Sequence, residues 1–87
     1  MILIIRNIDR SVSQSTLFSL VAKYGRIAAC DLVMDEKTGQ SKGFAFVEMT
    51  SEKDANTAIR ELNKRRVGKE ELRVKKAAAS SIRKFRQ

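Results

Sequence analysis

The 87-residue chain predicts an α+β fold: a ferredoxin-like βαββαβ sandwich, with a four-stranded antiparallel sheet and two helices on one face. Three observations carry this expectation. Residues 42–49, Lys-Gly-Phe-Ala-Phe-Val-Glu-Met, alternate with the period of a strand. Two stretches have apolar residues at helical spacing, and each opens on a serine that can cap it. The strand-like runs around them complete the order strand-helix-strand-strand-helix-strand.

Met1–Ile8 is rich in β-branched residues and reads as a fully buried central strand. Asp9–Ser13 is a polar turn. Ser13 caps a helix to about Tyr24, with Leu17, Leu20, Val21 and Tyr24 on one face, and Gly25 closes it as a left-handed cap. Ile27–Met34 alternates, with Cys30, Leu32 and Met34 on one side and Asp31 and Val33 on the other. Thr38-Gly39 turns the chain into the strand Ser41–Met49. Ser51 and Asp54 form a capping pair for a helix that runs to about Asn63 and buries Ala55, Ala58, Ile59 and Leu62. Lys64–Glu70 is a basic turn around Gly68. Glu71–Lys76 is the last strand, with Leu72 and Val74 inward and Arg73 and Lys75 outward. A domain is expected over residues 1–77, followed by a basic tail over 78–87.

Composition removes several function classes. A chain of this length supports one domain. It has no histidine and one cysteine, so imidazole chemistry, an intrachain disulfide and a zinc site are not expected. Cys30 reads as a small buried hydrophobe, and a lone cysteine fits a reducing compartment. The apolar run 1–5 stops at Arg6, too short for a signal-peptide core or a membrane span. No cofactor and no membrane partner are expected.

Charge is concentrated at one end. Residues 1–59 hold seven basic and seven acidic residues, whereas residues 60–87 hold eleven and three, so the whole +8 excess lies in the second part. A localised basic zone suits a polyanion such as nucleic acid. The plain alternative is a solvated helix face and a basic tail.

The octamer favours the first reading. Ala45, Val47 and Met49 suit a core. Phe44, Phe46 and Glu48 point the other way, beside Lys42 and Gly43. With helices available for one face only, two phenyl rings next to a cation are what a protein uses to stack unpaired bases and hold their phosphates.

The octamer resembles the longer signature of the RNA recognition motif family, K/R-G-F/Y-G/A-F-V-x-F/Y, at every position but the last, where Met49 replaces an aromatic. Leu3-Ile4-Ile5-Arg6-Asn7-Ile8 is similar to the family's hexameric motif. Asn7 matches it, and Ile4 stands where a stacking ring is expected. The Tyr24-Gly25-Arg26-Ile27 corner and the Asp35 to Phe44 loop are similar too. The resemblance covers roughly residues 1–77 and implies non-catalytic binding of single-stranded RNA on an open sheet face. That face carries Ile4, Arg6, Asp31, Val33, Phe44, Phe46, Glu48, Arg73 and Lys75. Phe46 would stack one base, Phe44 would pack on sugars or a base edge, and Lys42 would contact phosphate. Arg6, Arg73 and Lys75 would bond bases or phosphates, with Asn7 and Lys76 completing the set. Glu48 reads as the partner of a nearby Arg or Lys, while Asp31 stands open between that and base selection.

The rival readings are a protein-interaction module of the same fold, single-stranded DNA binding, and a small acyl-phosphatase-like enzyme. The enzyme lacks its phosphate-cradling loop. A monomer is expected, with weak dimerisation through Ile2, Ile4, Val33 and the rings as the alternative. A chain that opens directly on its first strand suggests a bacterial or organellar protein, cytoplasmic, with a nuclear one as the alternative. In the tail, Ser80-Ser81 caps a short helix with Ile82 and Phe85 on one face. That segment either covers the rings, extends the RNA path, or is disordered.

Overall fold

The computed structural model describes residues 1–77, and the expectations for residues 78–87 lie outside them. The elements are β1 (Ile2–Arg6), α1 (Gln14–Ala22), β2 (Ile27–Met34), β3 (Ser41–Met49), α2 (Glu52–Leu62), the short strands β4 (Arg66–Val67) and β5 (Glu70–Glu71), and β6 (Arg73–Lys76). The main sheet has the order β2-β3-β1-β6, antiparallel throughout. β1 therefore lies inside the sheet, between β3 and β6, as its run of Ile and Leu requires. This is the expected βαββαβ plan.

Parity divides β1 between two environments. Leu3 and Ile5 face the helices with no accessible surface. They meet Ala45, Val47 and Met49 of β3, together with Leu17 and Val21 of α1 and Ala55, Ala58 and Leu62 of α2. The alanines let α2 approach the sheet closely.

Both helices start as their serines dictate. Ser13 Oγ accepts the Thr16 N–H at 3.2 Å, and Ser51 Oγ accepts the Asp54 N–H at 3.3 Å. α2 also has Glu52 and Asp54 in its first turn and Arg60 in its last, which complements its dipole.

Some expectations need correction. α1 ends at Ala22 with Lys23 as a right-handed cap, so Gly25 is not the left-handed terminator. Gly25 is near-extended at φ 159°, and its bare Cα makes room for α2: a Cβ there would lie 2.5 Å from the Asp54 Cβ. Met34 does not reach the core and is 47% exposed, because the register of β2 against β3 shifts after Leu32. Cys30, Leu20 and Ile59 are half-buried rather than buried. The expected basic turn over 64–70 is a hairpin, in which Arg66 faces Glu71 and Val67 faces Glu70 around Gly68 at φ 67°. Leu72, fully buried, separates this hairpin from β6, so the expected strand 71–76 is broken in two.

Candidate functional site

The face opposite the helices is organised by register. One row of side chains crosses all four strands: Asp31 on β2, Phe46 on β3, Ile4 on β1 and Lys75 on β6. A second row places Glu48 opposite both Ile2 and Ala29. Toward the other end Arg6 faces Arg73. The Phe44 ring stands edge-on to Phe46, with centroids 6.3 Å apart and planes at 89°. This is a favoured aromatic geometry. The expected face residues are thus assembled on one surface.

Its depth differs from expectation. The open-face reading put both rings in solvent, yet Phe46 is 4% exposed and Ile4 6%. They form a second apolar cluster, with Ile2, Val33, Phe44 and Ala77 packed against them. Side chains from neighbouring strands close over the middle of the row, and Ala77 is held there by its N–H bond to the Ile2 carbonyl, 2.8 Å. Phe44 is half-buried, while Arg6, Asp31, Arg73 and Lys75 are exposed around the cluster.

Three further expected site residues stand elsewhere. Lys76 faces Leu3, on the helix-side parity, and its Nζ lies 3.9 Å from Glu52 Oε1, so it does not belong to the face. Asn7 leaves the strand at φ 58°, and its Nδ2 donates to the Glu71 carbonyl at 2.8 Å. It braces the chain just after β1. Lys42 is exposed at the loop end of β3, next to Gly43 at φ 85°, whose carbonyl accepts the Ile8 N–H at 2.8 Å. Glu48 has no salt bridge among the described residues, contrary to its expected pairing.

Sequence reasoning missed what lies at that loop end. A cleft of about 890 Å³ opens beside Phe44, with an apolar floor of Ile4, Ile8 and Phe44. Arg6, Arg10, Lys42 and Lys69 surround it. Asp9 ties its walls: Oδ1 accepts the Ser11 N–H at 2.9 Å and the Ser11 hydroxyl at 2.8 Å, and Oδ2 accepts the Lys69 N–H at 2.7 Å. These donors, the Ser11 and Lys69 amides first, hold the Asp9 carboxyl at a pKa of about 2, below its ordinary 3.8. Asp-x-Ser reads locally as a turn. The bond to Lys69 spans 60 residues and leaves no local signal.

Two other titratable groups among the described residues have shifted values. The Lys37 and Thr38 amides lower the Asp35 pKa, with smaller help from Lys42 and Arg10. Burial, then the neighbouring Asp31, raises that of Cys30, which keeps the thiol protonated and a poor nucleophile. Among the described residues no group of three or more His, Cys, Asp or Glu is placed to hold a metal ion. No described helix is long and apolar enough to cross a membrane. The surface presents rings, an apolar cluster and cations.

Residues 3–73 match the family described as RNA recognition motif. The chain is 39% identical over 71 residues to RbpA of Nostoc sp., named as an RNA-binding protein, covering 82% of this chain and 70% of that one. The structure superposes on RNA recognition domains 1 and 2 of Sex-lethal from Drosophila melanogaster with a TM-score of 0.85 at 37% identity, covering 93% of this chain and 52% of that one. A Sex-lethal protein–RNA complex matches with a TM-score of 0.85 at 36% identity, covering 88% of this chain and 46% of that one. With matched motifs on the two inner strands, this sheet order and these relatives, the chain belongs to the RNA recognition motif family.

Proposed function

We propose that this chain binds single-stranded RNA without catalysis, on the sheet face opposite the helices. The observation that carries the reading is the row Asp31, Phe46, Ile4, Lys75: a ring on an inner strand with a cation and a carboxylate at the row's two ends. The Sex-lethal complex, a relative of the same fold with RNA bound, supports it.

Bases stack on aromatic rings because every base has a π-face, and Arg and Lys hold the phosphates between them. Phe44 offers its half-exposed ring first. Phe46 becomes a base platform when the side chains packed over it part, so binding at that position includes a local rearrangement of the second cluster. Ile4 packs on a base without a ring's quadrupole, which makes this seat weaker than an aromatic one. Arg6 and Arg73 are register partners at one end, where their guanidinium groups can share a phosphate. Asp31 and Glu48 repel phosphate but accept hydrogen bonds from base amino groups, and they give the face its selectivity.

The test is a backbone amide NMR titration with a randomised short single-stranded RNA at low salt. Shifts centred on Ile4, Phe44, Phe46, Arg73 and Lys75 are expected. Shifts confined to residues 78–87 would mean nonspecific tail contact. No shifts at all would put a protein-interaction role in the place of RNA binding. The same titration with the DNA of matched sequence measures the contribution of the 2′-hydroxyl.

A further inference from the structure

We propose that the cleft beside Phe44 is a second nucleotide seat, in which Arg10 and Lys69 hold a phosphate of the RNA strand as it leaves the sheet and the apolar floor takes the attached base. The proposal rests on the RNA-binding reading and extends it beyond the sheet.

Three observations support it. The first is continuity. Ile4, Arg6 and Phe44 belong both to the sheet face and to the lining of the cleft. A strand that lies across Phe44 passes directly into it. The volume of about 890 Å³ is within the ordinary range of sites for small organic groups, about 300–1,000 Å³.

The second is construction. The segment after β1 is bonded to β3 through the Ile8 N–H and the Gly43 carbonyl, 2.8 Å. It is bonded to the β4–β5 hairpin through Asp9 with Lys69, 2.7 Å, and Asn7 with Glu71, 2.8 Å. The cleft is thus braced on both sides. Gly68 permits the contact: its φ is 67°, and a Cβ there would lie 2.5 Å from Asp9 Oδ2.

The third is electrostatic. Four cations line the cleft against two carboxylates, Asp9 and Glu70. The Asp9 carboxylate keeps its charge, but its oxygens are engaged by three hydrogen bonds and the four cations outnumber the two carboxylates. Arg10 and Lys69 are both exposed on the rim of the cleft. The Lys69 bond to Asp9 uses its backbone N–H, and the side-chain ammonium adds a smaller Coulombic attraction to the same carboxylate. An apolar floor under a cationic rim matches a nucleotide, whose base is flat and apolar on its faces and whose phosphate is anionic.

The experiment measures binding of a randomised single-stranded RNA 12-mer by fluorescence anisotropy across a salt series. It compares the wild-type chain, the double variant Arg10→Gln/Lys69→Gln, each single variant, and the remote double variant Lys23→Gln/Arg60→Gln, which removes the same charge on the helix side. For single strands each phosphate contact contributes about 0.7 to the slope of log K against log salt. The cleft double variant is expected to reduce that slope by about 0.7, each single variant by part of that and the remote variant by almost nothing. The single variants keep the backbone brace, so an unfolded double variant would leave the comparison intact. An unchanged slope in the cleft variants, or an equal fall in the remote one, overturns the second seat while RNA binding stands. A wild-type chain that does not bind the 12-mer overturns both.

Discussion

Removing the Phe46 ring disturbs two balances at once. The side chain lies in the second apolar cluster at 4% exposure and is also the proposed central base platform. Phe46→Ala is expected to lower RNA affinity by about 1–3 kcal/mol. It also lowers unfolding stability by about 3 kcal/mol, because a closed cluster loses a buried ring. Anisotropy and urea unfolding read the two separately. A loss of stability with unchanged affinity would make Phe46 a packing residue only. Gly25 tests crowding instead. A Cβ there would meet the Asp54 side chain at 2.5 Å. Gly25→Ala is therefore expected to cost about 1–3 kcal/mol of stability by forcing α2 outward, measured as a fall in the urea midpoint.

At this scale the sequence was legible in direction but not in depth. Alternation placed Phe44 and Phe46 on one face and Val47 and Met49 on the other, because strand parity is a local property. How far Phe46 is covered depends on Ile4, Val33 and Ala77, which arrive from other strands. Lys76 shows the opposite failure. Its alternation with Lys75 places it on the helix side, and only its charge suggests the face.

Among the elements, the β4–β5 hairpin depends most on a single side chain. Asp9→Asn removes the carboxylate that accepts from both Ser11 and Lys69. The Lys69 amide is expected to exchange with solvent faster, while amides of β1 and β3 keep their protection; equal exchange in the variant would show that the hairpin holds itself. The same contact has a pH signature. The folded-state pKa of Asp9 is depressed from 3.8 to about 2. The carboxylate's stabilisation is therefore complete above about pH 4 and is lost as the pH falls through about 2. The stability gap between wild type and Asp9→Asn should narrow over that window, as followed by thermal unfolding at a series of pH values. The helices were readable from sequence because their signals are local: Ser13 and Ser51 cap the turns that follow them. The hairpin was not. Val67 and Glu70 flank a plain basic turn, and the brace that shapes it comes from the other end of the chain.

For the whole molecule, charge makes the sharpest prediction. If RNA meets four to six of the basic groups, log K should fall with log salt at a slope near −3 to −4. A flat dependence would show that the basic groups lie outside the path. The partition of charge was visible in sequence, since all of the +8 belongs to residues 60–87. Its use was not. The cleft takes three of its four cations, Arg6, Arg10 and Lys42, from the charge-balanced part of the chain. Topology brings them to the hairpin, and composition alone carries no trace of that meeting.

The position of β1 has a consequence for how the protein is made. It is made before both its neighbours in the sheet: Ile4 meets Phe46 on one side and Lys75 on the other. At a synthesis rate of about 5–20 residues per second, an apolar strand waits several seconds with both edges open. This apolar run is thus open to a nascent-chain chaperone until its partners are made. The sheet closes only when β6 has emerged to take the second edge.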